Sequence, residues 1–146
     1  MQLTLDIFVG QAPPFTPEHQ KVLEEFQHPA AGVKKWVRAS KVFRHAPTRS
    51  WAKVDFRGHP ETGKTVAYLA HFYTSPDTRG QGGGERVMQQ VTAHLDKHQI
   101  PAVLHAAADR PQDQKRLENY YGRHGFHAAP PDYPGDMVRL PNPNKS

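Results

Sequence analysis

Two stretches of this chain carry glycines spaced for holding phosphate. The first, Gly58-His59-Pro60-Glu61-Thr62-Gly63-Lys64-Thr65, matches the letters G-x-x-x-x-G-K-[ST] in full. That loop works only between a strand and a helix, because the helix N-terminus supplies the amides and dipole that hold the anion. Here Val66 to Tyr73 follow, a β-prone run in which no helix begins, so the stretch reads as a hairpin turn. The second, Arg79-Gly80-Gln81-Gly82-Gly83-Gly84, stands after an apolar strand and at the start of a helix. Glycines there let the backbone adopt positive φ and approach an anion closely, while the helix start aims free N–H groups at it. A ligand bearing a pyrophosphate is the expected occupant. A Rossmann turn is excluded, since G-x-G-x-x-G after the first strand is missing.

Other reactive groups are scarcer than the residue counts suggest. Cysteine is absent, which removes disulfides, thiolate metal sites and cysteine nucleophiles together. Ten histidines invite a metal reading, with His94 and His98 at i, i+4 and with His124 near His127. Neither pair has a HExxH glutamate or a cysteine companion, so no metal is expected.

The elements that must position these groups follow from periodicity. Leu3 to Val9 alternates as a half-buried strand. Thr16-Pro17 caps a helix with an apolar stripe of Val22, Leu23 and Phe26, ending before Pro29. Pro29 to Ser40 reads as a second short helix built on Val33, Trp36 and Val37. Strands are expected at 41–45, 50–57 and 66–74. Gly84 to His98 is a helix with Val87, Met88, Val91 and Leu95 on one face. A short apolar strand at 102–107 follows, then a helix at 112–123 stopped by Gly125, and a last strand at 137–140. The order is that of one mixed α/β domain, in which the late β-α-β segment implies a parallel neighbouring pair with a right-handed crossover.

The chain has 146 residues, one domain's worth. It has no apolar run near 18 residues, and its start lacks the basic and apolar regions of a signal peptide, so a cytoplasmic protein is expected. The net charge of +5 is concentrated. From Lys34 to Arg57 there are eight basic residues and one acid, Asp55, a local surplus that exceeds the net charge of the whole chain. Phe43, Trp51, Phe56 and Trp36 interleave with it. This admits an alternative reading, a non-catalytic nucleic-acid-binding module, although the aromatics at that spacing also suit a core.

The stretch from Phe72 to Gly84, a strand, then Pro76 three residues before Arg79, then Gln81-Gly82-Gly83-Gly84 opening a helix, resembles motif A of the Gcn5-related N-acetyltransferase (GNAT) superfamily. Tyr120-Tyr121-Gly122-Arg123-His124-Gly125-Phe126 resembles the Tyr-x-x-x-Gly-Phe segment of that family, and Asp136 to Leu140 its final strand. The resemblance spans residues 66–140, about half the chain. It implies a three-layer fold, with a mostly antiparallel central sheet, a splayed parallel pair and helices on both faces. It also implies an N-acetyltransferase that moves acetyl from acetyl-CoA to a primary amine, whether on a small molecule, a protein or an aminoacyl-tRNA. Residues 1–65 would form the acceptor side and basic segment, residues 66–140 the acyl-CoA half, and residues 141–146 a tail.

By position, the resemblance implies that Arg79 and the amides of Gly80, Gln81, Gly82, Gly83, Gly84 and Glu85 hold the coenzyme A pyrophosphate. Phe72, Tyr73 and Thr74 would lend backbone groups to the pantetheine arm. Gln114 stands where the family often has an Asn that contacts the same arm. Tyr121 would protonate the departing thiolate. The motif-A strand carries no Glu, so the resemblance does not supply a base. His71 leads as the base on the residues themselves, with His105, Asp109, Asp55 or a water chain as alternatives. Without cysteine, direct attack in a ternary complex replaces an acyl-enzyme.

Overall fold

The structure, a computed structural model, describes residues 15–27, 37–58 and 63–143. The expected strand at 3–9 and most of the helix expected from Pro29 to Ser40 lie outside them. The elements are α1 (Pro17–Gln27), β1 (Val37–His45), β2 (Ser50–Gly58), β3 (Thr65–Thr74), α2 (Gly83–Lys97), β4 (Ala102–His105), α3 (Gln114–Gly122), β5 (His127–Ala128) and β6 (Asp136–Arg139). Six strands form one sheet in the order β1-β2-β3-β4-β6-β5. Every neighbouring pair is antiparallel except β3 and β4. Helices cover both faces. This is the mixed three-layer α/β fold that the resemblance implies.

One face buries Ala52, Val54, Ala67, Leu69, Leu104 and Met137 against Val87, Met88, Val91 and Leu95 of α2, with Leu117, Tyr120 and Tyr121 of α3 packed alongside. The other buries Val103 and Val138 under Leu23 of α1, flanked by Val22 and Phe26. The start of α1 fits its sequence closely. His19 N–H donates to Thr16 Oγ1 at 3.4 Å and Thr16 N–H donates to His19 Nδ1 at 3.1 Å. This is a reciprocal capping box in which an imidazole occupies the place usual for a glutamate.

Two expectations need correction. Val37 to Ser40 belongs to a strand, not a helix: nine rungs, from Val37↔Gly58 to His45↔Ser50, tie β1 to β2. That ladder overrides a helical pattern of only three apolar residues. A short strand, β5, also appears where none was read.

The letters of the complete phosphate-loop pattern fall at the β2–β3 hairpin. Gly58 pairs with Thr65, and Lys64-Thr65 lead into β3 rather than into a helix. The geometry that pattern needs is therefore missing. No helix among the described residues is long and apolar enough to cross a membrane.

Candidate active site

The parallel ladder between β3 and β4 has two rungs, Ala67↔Ala102 and Tyr68↔Val103. Beyond them β3 continues to Thr74, while β4 ends at His105 and turns away through Ala106 to pair with the β6 side. The two strands splay, and a cleft of about 600 Å³ opens between their carboxyl ends. Phe72, Tyr73 and Thr74 form one wall, and Ala107 and Ala108 the other. Arg79 stands at the mouth, with Tyr120 and Tyr121 across from it. Crevices at the carboxyl ends of strands are where α/β sheets bind ligands.

A bulge in β3 aims these residues. Lys53 pairs with His71 but Val54 pairs with Leu69, so Ala70 is the extra residue. An extra residue reverses the alternation of faces. Upstream, Ala67 and Leu69 point at α2; downstream, Phe72 takes over that face and packs against the same core. Without the bulge, His71 and Tyr73 would point at α2. Instead Tyr73 lies 43% exposed on the opposite face beside Trp51, ring centres 5.8 Å apart. His71 is exposed on that face too, 6.5 Å from the Trp51 ring.

The loop from Arg79 to Gly84 needs its glycines for two different reasons. Gly80 and Gly82 have φ of +85° and +80°, the left-handed region that side chains resist. Gly83 is packed instead: a methyl there would stand 1.9 Å from Thr48 Oγ1 and 2.4 Å from Ser50 Oγ. Its neighbour Gly84 faces Phe72, whose Cζ would lie 3.0 Å from an added methyl, with Tyr120 Oη at 3.4 Å. The start of α2 is thereby pressed onto the start of β2, where Ser50 Oγ donates to Thr74 Oγ1 at 3.1 Å. Thr78 Oγ1 donates to the Thr48 carbonyl from the loop side. By helix geometry the N–H groups of Gly83, Gly84 and Glu85 have no carbonyl within α2 to pair with. The N–H of Gln81 donates to Thr78 O at 3.2 Å within the loop.

Of the expected loop residues Arg79 lines the cleft, whereas Gly80, Gln81, Gly82, Gly83, Gly84 and Glu85 do not. The Glu85 carboxylate meets His124 Nε2 at 3.2 Å and Arg123 at 3.7 Å. Gln114 also lies outside the cleft. Its Nε2 donates to Ala106 O at 2.8 Å and its Oε1 accepts from Ala108 N–H at 2.9 Å. It clamps the backbone that forms the far wall, and it sits beside the cleft rather than in it.

The two tyrosines share the floor. Tyr121 is half-buried, its ring edge-on to Tyr120 at 5.4 Å and to Phe126 at 6.1 Å. Burial pushes its phenol above the ordinary range. Tyr120 is pushed up as well, by burial first and then by the nearby Glu85 and Tyr121. Both phenols therefore hold their protons at neutral pH. Tyr120 Oη is buried with no hydrogen-bond partner among the described residues, a situation that leaves a donor waiting for a ligand group. Sequence reading passed over Tyr120; the doubled Tyr120-Tyr121 was its signal, since successive helix positions point about 100° apart and both rings reach the cleft only where it wraps the helix.

The helix at 83–97 closes behind the cleft through a buried pair. Arg139 donates to Asp96 from Nη1 at 2.8 Å and Nη2 at 3.1 Å, and its Nε donates to His124 O at 2.8 Å. This ties α2 and β6 to the turn after α3, where Gly125 at φ +92° and the Phe126 N–H to Tyr121 O bond end the helix as expected.

Elsewhere, Arg38, Lys41, Arg44 and Arg49 are exposed on β1 and the turn after it. Phe43 and Phe56, however, pack in or against the core rather than being offered to bases, and Trp36 lies outside the described residues. The rings of His94 and His98 lie 4.5 Å apart, and no group of three metal-ligating side chains converges among the described residues. A larger hollow, about 820 Å³, lies at the other end of β3 beside Lys64 and Thr65, away from the glycine loop.

The anti-CRISPR protein AcrVA5 is similar to this chain at 16% identity, over 68% of this chain and 96% of that one, with a TM-score of 0.48. The KacTA–DNA complex contains a chain similar at 16% identity, over 86% of this chain and 76% of that one, with a TM-score of 0.46. No curated protein sequence matches significantly. The family model for the acetyltransferase (GNAT) domain matches residues 15–141, nearly the whole described chain. The chain belongs to the GNAT acetyltransferase family.

Proposed function

We propose that the protein is an N-acetyltransferase that moves acetyl from acetyl-CoA to a primary amine by direct attack in a ternary complex. The observation that carries this reading is the cleft itself: two parallel strands splayed at their carboxyl ends, with Arg79 of the glycine loop lining it and Gly84, at the start of α2, against its Phe72 and Tyr120. The residues present suit a pyrophosphate-bearing thioester. Gly84 brings the start of α2 against Phe72 and Tyr120 of the cleft, Arg79 adds a cation, and the buried hydroxyl of Tyr120 is a donor with no partner among the described residues. Phe72, Tyr73 and Thr74 offer an unpaired strand edge to an extended amide-bearing arm, which is recognition by strand addition.

When bound, acetyl-CoA supplies an activated acyl group. The chain orients it, keeps water out with Phe72 and Leu117 on the cleft side, and provides a proton for the leaving sulfur. Tyr121, held protonated by burial, is the acid of this reading, and its neighbour Tyr120 is oriented from the same helix. With no cysteine anywhere in the chain, an acyl-cysteine route has no nucleophile. Thiol release from acetyl-CoA in the presence of primary amines tests the reading. Tyr121→Phe is expected to lower the rate by ~10²–10⁴ while leaving acetyl-CoA affinity nearly unchanged. A loss under threefold removes Tyr121 from the acid's role.

A further inference from the structure

Next to the cleft lies a second hollow of about 540 Å³, lined by the end of β4, α3 and the β5–β6 loop. Ala107 and Ala108 border both spaces. Its walls are mostly alanine and proline, among them Ala128, Pro130 and Pro134. Into this apolar frame open three titratable side chains, His105, Asp136 and Glu118.

His105 is built in rather than merely present. It stands two residues past the last β3–β4 rung, at the level of the β3 bulge, where the strands begin to part. Leu104 and Ala106 point at α2, so His105 points to the opposite face, away from the glycine loop. Its Nδ1 meets Asp136 Oδ1 at 2.9 Å. A carboxylate only accepts, so Nδ1 carries a proton, and in the neutral imidazole Nε2 is then the nitrogen with the lone pair. Gly135 makes room for the ring: at φ +82°, a methyl there would stand 2.9 Å from His105 Cε1 and 2.7 Å from Ala106 O. Ala106 N–H is meanwhile fixed to Gly135 O at 2.7 Å. The imidazole is thus clamped on one edge and half exposed on the other.

Resting on the acetyl-transfer reading above, we infer that His105 is the general base for the acceptor and that Asp136 is its positioning residue, with the hollow receiving a cationic primary amine of compact, apolar body. The carboxylates of Asp136 and Glu118 attract the ammonium ion, and the alanine and proline walls take its hydrocarbon part. Nε2 of His105 removes one proton from the ammonium. The freed nitrogen lone pair forms the C–N bond to the acetyl carbon, and the C–S bond then breaks with its electron pair on sulfur. That sulfur takes a proton from the tyrosine side of the cleft, and the amide nitrogen loses its second proton to solvent. Arrangement on two faces suits the order of events: the glycine loop and tyrosines occupy the α2 face, and the base works from the other. His71 faces the same side of the sheet as His105, but its described neighbour is the Trp51 indole rather than a carboxylate.

The test is His105→Ala, assayed by thiol release from acetyl-CoA with an alkylamine, a lysine peptide and a peptide α-amine as probe acceptors, with and without added imidazole. The expected result is a ~10²–10⁴-fold loss of kcat, at least tenfold recovery on adding imidazole, and acetyl-CoA affinity within twofold of wild type. Asp136→Asn is expected to lower kcat more than it raises KM. Turnover of the alanine variant within threefold of wild type, or a loss that imidazole does not repair, overturns the base and leaves acetyl transfer standing. Failure of the wild-type protein to turn over any probe overturns both readings.

Discussion

Gly83→Ala is the sharpest probe of how the anion loop is held. Gly83 has ordinary helical backbone, so alanine meets no conformational penalty there and by propensity alone would stabilise the helix by up to ~1 kcal/mol. The added methyl nevertheless lies 1.9 Å from Thr48 Oγ1, 2.4 Å from Ser50 Oγ and 2.6 Å from Thr48 Cβ. Non-bonded atoms sit comfortably at ~3.5 Å, so the start of α2 must withdraw from the β1–β2 turn by roughly 1.6 Å. Thr48 cannot simply rotate away, because its hydroxyl is within hydrogen-bond distance of both His45 Nδ1 (2.8 Å) and Ser50 Oγ (2.9 Å). Overpacking of a buried site costs ~1–3 kcal/mol, and the disturbed hydroxyl network adds about 1 kcal/mol. The net expectation is ~2–3 kcal/mol of lost stability by urea unfolding, or a fall in Tm of ~4–12 °C. Adding Thr48→Ala removes the shortest contact but leaves Cβ at 2.6 Å, so it restores only part of the loss. A Gly83→Ala variant as stable as wild type, with unchanged acetyl-CoA affinity, refutes the claim that this glycine is kept for contact.

Other consequences follow from separate parts of the structure. Asp96→Ala leaves the Arg139 guanidinium buried without its carboxylate, and is expected to cost ~3–5 kcal/mol by chemical denaturation. His19 is buried, and its imidazole is held below the ordinary range by burial first and by His127 next, with Glu18 opposing. The unfolded chain then takes up that proton at a higher pH than the folded one, so stability is greatest above ~6.5 and is lost progressively as pH falls below it. His19→Gln should therefore flatten the fall in Tm between about pH 7.5 and pH 5.5; an unaltered fall assigns the pH dependence to other groups.

How much of this was legible in the sequence varies with the distance over which each feature is determined. The glycine loop was readable because its two requirements, positive φ and a following helix, are local, and Gly80 and Gly82 meet the first directly. The hairpin at Gly58–Thr65 was readable for the same reason, even against a complete motif. Val37 to Ser40 misled because three apolar residues fit a helix locally, whereas the nine-rung ladder to β2 is set by residues up to twenty-one positions away. The bulge at Ala70 left no mark in the alternation and emerges only from the register against β2. Gln114 was placed on the cofactor by resemblance, but its hydrogen bonds run to Ala106 and Ala108, a role that depends on how the chain leaves β4. His105 and Asp136 are thirty-one residues apart, and nothing in either neighbourhood announces that the sheet sets them side by side.

The central claim is that the working phosphate site is the loop from Arg79 to Gly84 and that its ligand is acetyl-CoA. Calorimetric titration of the purified protein with acetyl-CoA, and separately with Mg-ATP, tests it most directly. Micromolar binding of acetyl-CoA, weakened about tenfold or more by Arg79→Ala, with no heat from Mg-ATP, is the predicted result. Binding of Mg-ATP alone, or acetyl-CoA binding indifferent to Arg79, contradicts the account.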